Sequence, residues 1–179
     1  IRIQSSFHGY NVIGILGNGG TSIVCLVEDS KTGERYSAKV ISKADVEQKD
    51  LLSSIENEIN IMKQLNHPNI VQLIDTFTLQ NPYDEEYIII IMEYCELGDL
   101  LSYVTQHGFS SENQKKSIIE GFLSALKFLH SQQISHGDIK AENILLSNNF
   151  TAKLCDFGYS RNTLIAGNES KNGTLFYAP

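Results

Sequence analysis

The chain has 179 residues, 41% of them hydrophobic and 20% charged, with a formal net charge of −7. These values fit one globular domain with a substantial core and exclude wholesale disorder. They also exclude a global positive field for nucleic acid or an anionic membrane, so any phosphate must be held by local groups.

Residues 10–16, 23–28 and 34–41 are short, rich in β-branched and apolar residues, and read as strands. Gly17-Asn18-Gly19-Gly20 separates the first two, and Lys31-Thr32-Gly33 marks a hairpin turn before the third. Residues 46–65 change period: Leu51, Leu52, Ile55, Ile59 and Met62 recur at helical spacing and define one apolar face. Asn66-His67-Pro68-Asn69 ends this helix, because a residue before proline disfavours helical geometry. Strand patterns return at 70–79 and 87–93, separated by a polar loop containing Pro82. The expected result is a five-stranded antiparallel sheet with one helix.

After Glu93 the character becomes helical. Residues 99–106 read as a short helix stopped by Gly108, and Ser111 opens a longer one with Gln114 as its capping-box partner. Ile118, Ile119, Phe122, Leu123, Leu126 and Leu129 form a broad core-facing stripe. Residues 144–146 and 152–154 are strand-like, and from Gly158 the chain reads as a polar, mobile loop. The natural boundary between sheet and helices falls at 93–98.

The three cysteines, Cys25, Cys95 and Cys155, are odd in number and lack metal-ligand spacing, which argues against a disulfide framework or zinc site. The longest apolar run, residues 88–92, is far too short to span a bilayer. The first residues lack a secretory pattern and an initiator Met, so the natural N-terminus is expected upstream. The expectation is a soluble intracellular protein of the cytoplasm or nucleus, with no membrane and no nucleic-acid partner.

Three features carry chemistry. A glycine-rich turn between strands lets backbone N–H groups approach a polyphosphate, although such a turn is more often only a hairpin. It lacks the strand-to-helix context of a dinucleotide site and the Gly-Lys-Ser/Thr of a P-loop. Lys39 stands in an apolar strand, where its charge is costly unless met. On a helical wheel Glu58 flanks the Ile55/Met62 stripe and leans toward the sheet, while Glu56 meets solvent, so a Lys39–Glu58 ion pair is expected. Finally, His136-Gly137-Asp138-Ile139-Lys140-Ala141-Glu142-Asn143 is followed by Asp156-Phe157-Gly158. Asp138, Asn143 and Asp156 are oxygen donors of the kind magnesium prefers, and Lys140 adds a cation where a migrating phosphoryl group needs neutralising. All three features occur in one chain, in order.

These motifs resemble the eukaryotic protein kinase family, over residues 10–179. The resemblance implies an α+β, bilobal kinase-like fold: an extension at 1–9, a five-stranded antiparallel lobe with one helix at 10–95, and a partial, mainly helical lobe at 96–179. It implies that Gly17 and Gly19 cover the phosphates of ATP and that Lys39, paired with Glu58, contacts them. Met92 gates the back of the adenine pocket, Glu93 and Cys95 offer backbone bonds to adenine, and Asp99 meets ribose. Leu16, Val24 and Leu145 sandwich the purine, with Ser37 in its ceiling. Asp138 is the implied base for the substrate hydroxyl, Lys140 the cation of Ser/Thr kinases, and Asn143 and Asp156 the Mg ligands. Met62, Leu73, His136 and Phe157 match an internal stack that aligns the lobes. The flavour of 67–71 and 98–100 is similar to the calcium/calmodulin-dependent group.

The sequence also departs from the family pattern. Ser22 replaces a third glycine, Thr21 stands where many kinases place an aromatic, and Ser37 replaces an alanine. Gly137 replaces the Arg that normally binds a phosphate on the activation loop, so activity is expected not to depend on phosphorylation there. Residues 173–179 resemble Gly-Thr-x-x-Tyr-x-Ala-Pro-Glu but are one residue short and stop before its Glu, and the later helices are absent. The leading expectation is a protein Ser/Thr kinase using Mg-ATP, with this piece itself binding nucleotide with little or no transfer. The alternative is a nucleotide-dependent scaffold or pseudokinase without turnover. Oligomeric state is not legible.

Overall fold

A computed structural model describes residues 5–163 of the chain. The described residues divide into two compact units: the first holds those up to Ile59 together with Gln72–Tyr94, and the second holds Asn60–Val71 and those from Cys95 onward.

In the first unit, β1 (Ser6–Phe7), β2 (Tyr10–Asn18), β3 (Ser22–Asp29), β4 (Arg35–Ser42), β5 (Leu73–Gln80) and β6 (Glu86–Glu93) form one antiparallel sheet of order β1-β2-β3-β4-β6-β5. The five expected strands are therefore joined by a two-residue edge strand, where Phe7 pairs with Tyr10. The β3–β4 turn closes because Asp29 accepts N–H bonds from Lys31 and Thr32 while Gly33 takes φ +72°. Period-two alternation sends Cys25, Val27, Ala38, Val40, Ile89 and Ile91 into a core on one face. On the other face, Ile41 and Ile90 pack with Val46, Leu52, Ile55 and Ile59.

The single helix expected over 46–65 is two helices, α1 (Lys43–Gln48) and α2 (Leu52–Gln64). The break has a local cause: Asp50 takes φ +54°, and the Leu51 N–H returns to the Val46 carbonyl. Leu51 thus precedes α2 and is exposed, leaving the helical face.

In the second unit, α3 (Leu100–His107) is capped by Asp99 and ended by Gly108 at φ +68°. Helix α4 (Glu112–Ser131) is capped by Ser111, which accepts from Gln114 N–H. The reciprocal half of the capping box differs: Gln114 accepts from the N–H of Ser110, not Ser111. The broad stripe expected on α4 is narrower than its sequence pattern, with Ile118, Ala125 and Leu129 buried. Ile119 and Leu123 are 49% and 55% exposed, because they lie about 100° and about 140° around the helix from the buried line.

Strand β7 (Ile134–Ser135) pairs with β10 (Arg161–Asn162), so part of the segment expected to be a mobile loop after Gly158 is tied into a ladder. Strands β8 (Ile144–Leu146) and β9 (Ala152–Leu154) form a hairpin. Residues 60–71, expected in the first lobe, group with the second unit because they bond to β9. Val71 N–H donates to Leu154 O at 2.9 Å, Leu154 N–H to Asn69 O at 2.8 Å, and Asn69 Nδ2 to Ala152 O at 2.9 Å. Among the described residues no helix is long and apolar enough to cross a membrane. The motif at 173–179 lies outside the described residues.

Candidate active site

In the first unit, strand register assembles the site. Gly17 pairs with Val24, Val24 with Lys39, and Lys39 with Ile90; the next row on the same face is Leu26, Ser37 and Met92. Side chains directly opposite across a ladder share a face. The glycine turn, Val24, Lys39, Ser37 and Met92 are therefore one surface. Leu26 belongs to it as well, which motif reading missed although its position two residues after Val24 was a usable signal.

Lys39 Nζ lies 2.7 and 3.0 Å from the two carboxylate oxygens of Glu58, which is 2% exposed. The bond fixes the ammonium on that face, and Glu56 stays exposed. A buried carboxylate of this kind is tolerated only with such a partner.

The glycine turn is closed by Gly19 N–H donating to Ser22 O at 2.8 Å. Thr21 O accepts from Ser42 N–H, and Gly20 O accepts from Lys49 Nζ, both at 3.2 Å. In a trans peptide the C=O of one residue and the N–H of the next point oppositely. These bonds fix the Gly20 and Thr21 carbonyls, and each N–H that follows, of Thr21 and of Ser22, points away from the carbonyl of its own peptide. Lys49 had no sequence signal, since its place depends on the stop of α1. Leu16 is exposed on β2.

At the end of β6, Glu93 N–H donates to Gln72 O at 2.9 Å, and its carboxylate accepts from Gln72 N–H at 3.3 Å. The Ser37 hydroxyl lies within hydrogen-bond distance of the Met92 and Glu93 carbonyls.

In the second unit, Cys95 is buried and its carbonyl accepts from Gly98 N–H at 3.2 Å. Asp99 and Leu145 meet in an antiparallel bridge. One Asp99 oxygen caps α3 by accepting from Ser102 N–H at 2.8 Å, so the cap engages part of the carboxylate expected at ribose.

The loop from His136 to Asn143 is organised around Asp138, which is 2% exposed. Asp138 Oδ2 accepts from Lys140 Nζ at 2.7 Å and from Asn143 Nδ2 at 3.0 Å, and Asn143 Nδ2 also reaches Asp138 O at 2.8 Å. The bond to Asp138 raises the Lys140 pKa, so its ammonium is secure. His136 positions the loop: its Nδ1 accepts Asp138 N–H at 3.3 Å and its Nε2 bonds Cys155 O at 2.9 Å. Burial lowers its pKa and keeps the ring neutral. Its ring meets Phe157 edge-on, with centroids 5.1 Å apart. Of the expected stack, Met62 and Phe157 are also buried.

Cys155 N–H donates to Asn143 O at 2.9 Å, so Asp156 follows directly on a backbone bond to Asn143 at the open end of the β8–β9 hairpin. Asp156 is exposed at φ +63°, a strained conformation for a non-glycine residue. A carboxylate and an amide oxygen at one hairpin end form a hard donor pair of the kind magnesium takes. Among the described residues, no three His, Cys, Asp or Glu side chains cluster as a metal site.

Residues 10–179 match the family model for the protein kinase domain. The serine/threonine-protein kinase cds1 of Schizosaccharomyces pombe is 34% identical over 89% of this chain, which spans 34% of that protein. Sucrose non-fermenting protein kinase 1 of Fusarium virguliforme is 32% identical over 94% of the chain and 23% of its own length. Serine/threonine-protein kinase SIK1 of Mus musculus is 33% identical over 84% of the chain and 18% of its own length. The chain belongs to the protein kinase domain family.

Proposed function

We propose that the protein transfers the γ-phosphate of Mg-ATP to a Ser or Thr hydroxyl of a protein substrate. The observation that carries this reading is the buried Asp138 carboxylate held between Lys140 Nζ and Asn143 Nδ2. A base that orients an incoming hydroxyl needs a fixed carboxylate, and this pair of donors holds Asp138 in place. Lys140 lies beside it as a cation for the transferring phosphoryl group.

On the first unit, the glycine turn, Lys39 and the Val24–Ser37–Met92 face hold the nucleotide's phosphates and base. By the family resemblance, Leu16 and Glu93 are this unit's further residues for the purine; in the second unit, taken by itself, Cys95 and Leu145 are the residues proposed for the purine and Asp99 for the ribose. Asn143 and Asp156 would hold magnesium, which would supply charge neutralisation to the phosphates. The three thiols, Cys25, Cys95 and Cys155, support an intracellular setting.

The test is nucleotide binding with and without magnesium, followed by transfer of labelled γ-phosphate to a mixture of Ser/Thr peptides. We expect magnesium to tighten ATP binding and Asp156→Asn to abolish that gain. Binding without transfer by the intact wild-type protein would replace this reading with a nucleotide-dependent scaffold.

A further inference from the structure

Ser37 stands where a buried strand carries a hydroxyl, and burying a hydroxyl is unfavourable unless it is bonded. Its Oγ lies 3.4 Å from Met92 O and 3.2 Å from Glu93 O, so one proton is shared between two successive carbonyls. These belong to the last two residues of β6, and Tyr36–Glu93 is the last pair of the β4–β6 register. Beyond it the ladder gives the chain no regular bonds. The Met92–Glu93 peptide is held through Glu93 N–H by Gln72 O and through Met92 O by Ser37. The following peptide, which carries Glu93 O, is tied back to β4 by the same hydroxyl. Ser37 also lies in the row with Leu26 and Met92, on the face that carries Lys39.

We propose that Ser37 is a positioning residue for the purine: by fixing the Glu93 carbonyl it sets the preference for a base carrying a 6-amino group. The proposal rests on the nucleotide reading above. A carbonyl accepts hydrogen bonds and cannot donate them, so it favours a 6-amino substituent and repels a 6-oxo group. The preference is sharp only while the carbonyl cannot rotate away, and the hydroxyl restrains that rotation. Its contribution therefore depends on the ligand's amino group, unlike a packing role, which acts on every purine alike.

The experiment measures binding of ATP and of purine riboside triphosphate, which lacks only the 6-amino group, to wild type, Ser37→Ala and Ser37→Cys. Thermal unfolding of each variant reports the fold. The expected result is that Ser37→Ala weakens ATP about fivefold, the effect of one hydrogen bond, and changes the deamino nucleotide less than about twofold. Ser37→Cys, nearly isosteric with a weaker donor, should fall between. Equal weakening of both nucleotides, or no change in either, would overturn the proposal. Failure of the wild type to bind either nucleotide would instead overturn the nucleotide-binding reading, and the proposal with it.

Discussion

Gly137 has φ +83°, and the carbonyl oxygen of Tyr159 occupies the place where a Cβ at this position would project, with Tyr159 Cβ a further 3.2 Å contact. Backbone approaches backbone here, and the buried Ser160 hydroxyl donates to His136 O at 2.9 Å beside it. The sequence presents Gly137 as the loss of an arginine; the structure presents it as a position shaped for glycine. Gly137→Arg should therefore not restore a family feature. It should cost roughly 1–3 kcal/mol from backbone strain alone and lower the unfolding temperature. An unchanged unfolding temperature in that variant would show that the close approach is absent.

His67 and His136 repeat one device. Each ring takes the N–H of the residue two further on at Nδ1 (Asn69 at 3.1 Å, Asp138 at 3.3 Å) and bonds through Nε2 to another segment. Both networks use the neutral ring with its proton on Nε2. Desolvation lowers both pKa values below 6.5; Lys153 adds to this at His67, while at His136 Cys155 O, Asp156 and Asp138 oppose it and Lys140 adds to it. The unfolded chain then binds protons more readily than the folded one. Stability from these groups is full above about pH 7 and falls as pH drops through the ordinary histidine range. The urea midpoint should be lower at pH 5.5 than at pH 7.5, with a smaller difference in His67→Asn. A midpoint that rises on acidification would contradict this.

At the scale of elements, α4 shows how a helix pattern can mislead. Gly121 sits mid-helix, where alanine normally stabilises by up to about 1 kcal/mol. Here Asn69 Nδ2 lies 2.6 Å from where a Cβ would be, and that amide also holds Ala152 O on β9. Gly121→Ala should therefore lower the unfolding temperature, with part of the loss recovered when Asn69 is also changed to Ala. Stabilisation by Gly121→Ala alone would refute the role given to Asn69. Apolar spacing on α4 was legible in sequence, yet it could not say which side of the stripe meets β9, so Ile119 and Leu123 look core-facing and are exposed. The split between α1 and α2 was hidden for a related reason: it rests on one left-handed residue, Asp50, inside an otherwise helical pattern. The five long strands were readable because their alternation is set by local chemistry. The pairing of Lys39 with Glu58 was readable because a charge in an apolar strand narrows its partners. The bonds of Ser37, Lys49 and Ser160 depend on register and turn geometry that no local pattern encodes.

At the scale of the whole molecule, each unit brings its own part of the chemistry together. The first gathers the glycine turn, Lys39 and Glu58 through strand register. The second gathers Asp138, Lys140 and Asn143 through a buried network, with Asp156 one residue beyond the Asn143–Cys155 bond. A positioned base contributes on the order of 10²–10⁴ to rate while making little demand on nucleotide affinity. The most direct test is therefore to compare wild type and Asp138→Asn for two quantities on the same preparations: the dissociation constant for Mg-ATP and the rate of γ-phosphate transfer to Ser/Thr peptides. The predicted result, read on the intact protein, is transfer by wild type onto Ser or Thr, a fall of at least about a hundredfold in the variant, and ATP affinity within about threefold. Transfer that persists undiminished in Asp138→Asn would contradict the account.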